Sequence, residues 1–297
     1  MMQLASLLIL WGCLMSTSVQ AITSDDVSTS PLKQWESAFA ASSAQSSCLA
    51  MKYNNECVLL LYRSPLSNRW KPYSSSSYAP TQSTELLGLQ VRPVESTVVQ
   101  HAPSWMSFPN AQVLAMTGFA PDVDHLARSI QKHADNHEST YEESMTTHSM
   151  TTKLAAVVQK AAQSGGRPFG VQALLVGGDD IDPSRGLCIY SIDPSGSWQS
   201  WGKGASIGRY SNKLRKALAE ALSSSLSATT LQETLSQLIG CWVETRRAEN
   251  LSASEEEDLE VLVLQRNPKT GHSGLFIVDN DHVKNIFTDL SKTTPLS

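Results

Sequence analysis

The sequence predicts an α+β protein in which two sheets pack face to face with helices outside them. Three observations predict it. Short apolar runs such as Val171 to Val176 (VQALLV) and Cys57 to Arg63 (CVLLLYR) read as core strands. Longer stretches carry apolar residues at helical spacing. The elements follow the order strands, two helices, strands, two helices, strands. Two stacked sheets with helices on their outer faces would bury every apolar face of such a set.

Each element has its own signal. Near the N-terminus Trp35, Ala38, Phe39 and Ala41-Ser42 recur at three-to-four spacing, which gives a short helix one apolar face. Asn54-Asn55 is a hairpin signal before the strand Cys57 to Arg63, because both residues tolerate positive φ. Val113 to Met116 is a further strand, closed by Thr117-Gly118. Pro121 then sits in the first turn of a long helix, with Asp122 and Asp124 beside its positive dipole end. Val123, Leu126, Ala127, Ile130 and Ala134 form the apolar face of that helix. Met150 to Gln163 is a second helix, striped by Leu154, Val157, Val158 and Ala161.

The stretch that follows is dense in turn chemistry. Arg167-Pro168-Phe169-Gly170 leads into the strand Val171 to Val176, and Leu187 to Ile192 (LCIYSI) is its successor. Asp193-Pro194-Ser195-Gly196 fits a type I turn, with Asp accepting a backbone hydrogen bond, Pro presetting φ and Gly closing. Ser197 to Trp201 alternates into a third strand, and Ala205-Ser206-Ile207-Gly208 precedes a helix. That helix is striped by Leu214, Ala217, Leu218, Ala221 and Leu222. Thr230-x-x-Glu233 is a capping box that opens another, with Leu231, Leu235, Leu238 and Ile239 inside it. Leu259 to Leu264 and Leu275 to Val278 are strands, and Asp281 to Leu290 is a closing helix.

Composition bounds the function. The chain has 297 residues, 41% hydrophobic and 17% charged, enough for one large domain or two small ones. A net charge of −5 leaves no basic footprint, so nucleic acid is not an expected partner. Cys13, Cys48, Cys57, Cys188 and Cys241 show no C-x-x-C spacing, which argues against a thiolate zinc site or a redox motif, and their pairing stays open. His133 and His137 stand one helical turn apart, but no Glu follows in the H-E-x-x-H pattern, so no metal is expected. Gly177-Gly178 has no Lys-Ser or Lys-Thr after it and is a strand end, not a phosphate loop.

The ends and one internal segment depart from this pattern. Leu4 to Met15 is apolar and uncharged, and as a helix would be only about 18 Å long. A bilayer core is about 30 Å thick. With Val19-x-Ala21 behind it, segment 1–21 reads as a signal peptide cut after Ala21, although Met1-Met2-Gln3 lacks Lys and Arg. The mature form is then expected to have no membrane segment. Residues 22–33 read as a flexible N-terminal segment, 34–290 as the folded domain and 291–297 as a disordered tail. Residues 64–99 read as a solvated, mobile insertion, with four consecutive serines at Ser74 to Ser77 and prolines at Pro65, Pro72, Pro80 and Pro93. Glu255 to Asp258 reads as a solvated acidic loop, and Asn250-Leu251-Ser252 is a glycosylation acceptor only on the secretory route.

Arg167-Pro168-Phe169-Gly170-Val171, Asp193-Pro194-Ser195-Gly196 and Trp201 … Ala205-Ser206-Ile207-Gly208 together resemble the α-type subunits of the proteasome core particle. There R-P-[FY]-G-V enters a strand, D-P-[SA]-G turns a hairpin, and a W/Y-x-A-x-A-[IM]-G stretch precedes a helix. The resemblance runs from about Pro31 to Leu290. It implies the four-layer αββα sandwich, two antiparallel sheets between helix layers, shared with N-terminal-nucleophile hydrolases. Gln34-Trp35-Glu36-Ser37-Ala38 stands where the family shows Q-V-E-Y-A, implying a helix that packs against the next subunit, with Gln34, Trp35, Glu36, Ala38 and Phe39 as its interface candidates. Ser46 to Ala50 stands at the first core strand.

The related β-type subunits cut peptides with an N-terminal Thr, whose freed amine is the base. Ser46 occupies that place and is the one candidate nucleophile. Gln45 replaces the Gly that processing needs, and Tyr62 stands where the β-type carboxylate would be. The expectation is a non-catalytic protein without cofactors. Two α-type devices are missing as well. Ser24 to Lys33 holds no Y-D-R gate segment, and the pocket Lys that receives activator carboxylates falls on Ser104, beside Trp105.

The resemblance thus implies a structural subunit of the α ring, partnered by other proteasome α- and β-type subunits, in ubiquitin-dependent protein breakdown in cytoplasm and nucleus. Segment 1–21 motivates an alternative, a scaffold or binding protein of the secretory route or a secretory-derived organelle. A Ser46 peptidase is the third reading.

Overall fold

A computed structural model describes residues 31–44, 46–55, 57–63, 84–93, 105–163, 166–178, 186–224, 230–249, 259–267 and 273–292. The expectations for segments 1–21 and 22–30, Ser104, Asn250, Glu255 to Asp258 and residues 293–297 lie outside them.

Twelve strands in the described residues make two antiparallel sheets. The larger holds β1 (Ser47–Asn54), β2 (Cys57–Arg63), β3 (Thr84–Leu86), β4 (Leu89–Pro93), β10 (Gly204–Gly208), β11 (Leu259–Arg266) and β12 (Ser273–Val278). Their order is β10-β1-β2-β11-β12-β4-β3. The smaller runs in sequence order through β5 (Trp105–Phe108), β6 (Gln112–Gly118), β7 (Val171–Gly178), β8 (Leu187–Ile192) and β9 (Trp198–Trp201).

The central strands are buried on both faces, which is why they read as apolar runs and not as an alternation. Cys48, Ala50, Leu60 and Leu262 of the larger sheet meet Val113, Leu174 and Ile189 of the smaller one in the layer between the sheets. On the outer side of the larger sheet, Leu49, Leu59 and Val261 pack under α4 (Ser211–Ser224), α5 (Leu231–Ala248) and α6 (Asn280–Lys292) through Leu214, Trp242 and Val283. On the outer side of the smaller sheet, Leu114 and Leu175 meet α2 (Ala120–Tyr141) and α3 (Thr147–Gln163) through Leu126, Ile130 and Leu154. Three apolar layers between four layers of secondary structure are the expected αββα sandwich. The sixth α-helix of the described residues, α1 (Pro31–Ala44), precedes β1 in the chain.

Local signals behave as the chemistry dictates. Thr230 caps α5, its hydroxyl accepting from the Glu233 N–H at 3.2 Å. Glu142 ends α2 in the left-handed conformation, its N–H donating to Glu138 O. In the Asp193 turn, Gly196 N–H donates to Asp193 O at 2.9 Å and Gly196 takes φ +76°. The Asp193 carboxylate accepts from Ser195 N–H at 2.8 Å and from the Ser195 hydroxyl.

Four strands differ from the sequence reading. The 64–99 segment was expected to be a solvated loop throughout, yet residues 84–93 form the β3–β4 hairpin. Its Leu89 and Val91 are buried and Val91 pairs with Val278 of β12. Leu87-Gly88 turns it with φ of +48° and +90°, the two positive values a tight type I′ turn requires. The alternation Leu89-Gln90-Val91-Arg92 carries that information, and the serine- and proline-rich surroundings hide it. β5 is four residues long and too short for periodicity to show. β10 was expected only as the approach to a helix. It crosses to the larger sheet and pairs with β1, Ser47 opposite Gly208. α3 also begins earlier than expected, at Thr147.

Candidate functional site

The motif residues converge on one end of the sandwich. Gly118 pairs with Val171, Ala173 with Ile192, and Ser47 with Gly208, so the loops that carry the motifs leave the two sheets at the same end.

Arg167 is held by a carboxylate 45 residues away in sequence. Its two terminal nitrogens donate to Asp122 Oδ1 and Oδ2 at 2.6 and 2.7 Å. Asp122 is buried in the first turn of α2 and also accepts from Gly170 N–H at 3.0 Å. The hydrogen bond to Asp122 raises the Arg167 pKa against the opposing cost of burial. The guanidinium lies 5.5 Å from the Phe119 ring centre, and Phe169 stacks on His125 at 5.5 Å. Gly170 follows because α1 crosses here. A Cβ on it would stand 3.0 Å from Ala41 Cβ and 3.6 Å from Ala38 O.

α1 has two unlike sides. Ala38 and Ser42 are buried, Trp35 and Gln34 are half-buried, and Glu36 and Phe39 are exposed, Phe39 by 39%. The apolar face expected from spacing is therefore split, with Ala38 turned inward and Phe39 left in water. Phe119, at the start of α2, is also exposed.

Ser46 lies between α1 and β1 and is only 4% exposed. Its carbonyl accepts from Arg209 N–H at 3.1 Å, and the neighbouring Ser47 hydroxyl donates to Arg209 O at 2.6 Å. Gly208, at φ +81°, makes this approach possible, since a Cβ there would stand 2.0 Å from Ser46 O. Tyr62 pairs with Cys48 on the adjacent strand. Two side chains at this end do not read as site residues from sequence. Asp122 reads as a dipole partner until the fold brings Arg167 to it. Gln172 is a polar residue inside an apolar strand run, and that is the signal it carries.

Gly196 packs against α3, where a Cβ would meet Ala155 O at 2.7 Å. His133 and His137 lie on α2, and His137 contacts the Tyr141 ring. Among the described residues no three His, Cys, Asp or Glu side chains converge as a metal site would require. Cys48, Cys57 and Cys241 are buried free thiols. Burial raises all three pKa values, those of Cys57 and Cys241 to about 12, so they stay protonated and unreactive. Glu260 accepts from Trp105 Nε1–H at 2.9 Å, and burial raises its pKa while this hydrogen bond opposes the rise.

The four-layer αββα sandwich of two antiparallel sheets defines the class. Sequence comparison gives the family. The family model described as "Proteasome subunit" matches residues 109–254. The proteasome subunit alpha type-7-A of Arabidopsis thaliana is 31% identical over 171 residues, 54% of this chain and 67% of that protein. The proteasome subunit alpha type-2 of Oryza sativa subsp. indica is 38% identical over 117 residues, 39% of this chain and 46% of that protein. The Caenorhabditis elegans alpha type-2 subunit is 37% identical over 111 residues, 37% and 47% of the two chains. The chain belongs to the proteasome subunit family and is a divergent member of its α type. It spans about two thirds of the first relative's length and just under half of the other two.

Proposed function

We propose that the chain is a non-catalytic, structural α-type subunit of the proteasome core. It would take its place in the α ring through α1 and contact other α- and β-type subunits, within ubiquitin-dependent protein breakdown. The observation that carries this is the state of Ser46. It is internal to the chain and buried, with its carbonyl bound by Arg209 N–H. A nucleophile of this class needs a free terminal amine as base, and none exists while the chain runs on from α1. The exposed Phe39 and half-buried Trp35 supply the apolar contact surface of a docking helix. Gln34 and Glu36 flank that surface, and Ala38, expected in the interface, instead seats the helix on its inner side. Arg167, Pro168, Phe169, Gly170, Asp193, Pro194, Ser195, Gly196 and Gly208 act as structural residues that shape the end on which α1 rests.

The test is chemical. The Gln45–Ser46 bond stays intact in the purified protein, and Ser46→Ala leaves any associated peptidase activity unchanged. A fragment beginning at Ser46, with activity lost in the alanine variant, contradicts the reading. Family membership points to cytoplasm and nucleus. Segment 1–21 is the observation behind the secretory alternative, for which the native protein would begin at Ile22 and carry a glycan on Asn250. Terminal sequencing separates the two.

A further inference from the structure

We propose that Gln172 is a positioning residue that sets the interface helix, a single amide clamping the last turn of α1 to both sheets. The inference rests on α1 being the interface helix. Gln172 belongs to β7 of the smaller sheet, opposite Thr117. Its Nε2 donates to Ser42 Oγ at 3.1 Å and to Ser43 Oγ at 3.4 Å. Its Oε1 accepts from Gly208 N–H at 2.8 Å, at the end of β10 in the larger sheet. One side chain thus ties three separate segments.

The directions of the hydrogen bonds fit together. Ser42 donates its own proton to Phe39 O at 2.8 Å, so its oxygen is left to accept from the amide. Phe39 is the exposed aromatic of α1, and its carbonyl is one bond removed from the clamp. Gly170, two residues before Gln172, lets Ala41 approach to 3.0 Å of where its Cβ would be. Backbone contact at Gly170 and the amide at Gln172 together fix both the height and the rotation of the helix. The same amide holds Gly208, whose neighbour Arg209 binds the Ser46 carbonyl. The orientation of the docking face and the closure of the nucleophile position therefore share one polar residue, set in an otherwise apolar strand.

The experiment compares wild type, Gln172→Met and the double variant Ser42→Ala/Ser43→Ala by amide hydrogen exchange and native mass. Methionine keeps the length and removes all three hydrogen bonds. In Gln172→Met exchange is expected to rise about tenfold or more over residues 38–44, which lose two hydrogen bonds, and about fivefold over 205–210, which lose one. It rises over 38–44 alone in the double variant, where the Gly208 contact remains. Strands β6 and β7 keep wild-type protection in both. Where wild type assembles, Gln172→Met shifts it towards single chains. Unchanged exchange over 38–44, or a uniform rise across the whole sandwich, overturns the clamp. A wild type that runs as a single chain overturns the ring reading instead, and the exchange pattern still decides the role of Gln172.

Discussion

The two sides of α1 meet different surroundings. On the inner side Ala38, Ala41 and Ser42 rest on Gly170 and Gln172, and the chain beyond runs into the closed position of Ser46. On the outer side Phe39 and Glu36 face solvent. The inner contacts are a close approach of Ala41 to Gly170, where a Cβ would stand 3.0 Å away, and the Gln172 amide on Ser42. The outer face is apolar in part, with Phe39 39% exposed. Within the single chain the inner side of α1 is packed and Ser46 is buried, while Phe39 on the outer side has no such cover.

The inner side can be broken at its tightest point. Gly208→Ala puts a methyl 2.0 Å from Ser46 O at φ +81°, so backbone has to move. A cost of about 3–5 kcal/mol is expected. Thermal unfolding should show it as a fall of roughly 10 °C or as failure to fold. A melting temperature within two degrees of wild type, as a rough margin, would remove the closed-site account of Gly208.

Gly170→Ala tests the next contact. Its new methyl would meet the Ala41 side chain at 3.0 Å, which a small tilt of α1 relieves. The expected cost is about 1–2 kcal/mol, with a larger effect on assembly than on the melting temperature. Equal effects of the two glycine variants would erase the difference between a backbone lock and a helix seat.

The smallest effect lies away from α1, between the sheets. Burial holds Glu260 above its ordinary value of 4.5. The folded state therefore binds more protons than the unfolded one as pH rises past that value, and stability falls through this window. Glu260→Gln keeps an acceptor for Trp105 Nε1–H and removes the charge. It should raise the melting temperature at neutral pH and make no difference at pH below about 4, where both states are protonated. A gain that persists in acid would mean that ionisation is not the cause.

Much of the motif end was legible because turns are set by single residues. Asp193-Pro194-Ser195-Gly196 and Thr230-x-x-Glu233 each carry their own geometry, and the structure shows the Gly196–Asp193 turn bond, the Asp193 side-chain bond and the Thr230 cap on Glu233 N–H. The buried strands were legible as apolar runs. The pairings across sequence were not. Arg167 with Asp122, and Gln172 with Ser42 and Gly208, depend on the fold to meet. The β3–β4 hairpin and β5 were lost for another reason. They are short, and their burial comes from the sheet they join, not from their own period. The split of α1 into an inner Ala38 and an outer Phe39 also exceeds what spacing alone can say, since both fall on one stripe.

The central claim is that the outer face of α1 is completed by another subunit. Native mass of the purified protein, beside its Trp35→Glu and Phe39→Glu variants, tests it most directly. The account predicts a wild type in a particle several times the 32.3 kDa of the chain. It predicts variants released as folded single chains, because an unpaired charge in that interface costs several kcal/mol. A wild type of single-chain mass, unmoved in size or melting temperature by either glutamate, would contradict it.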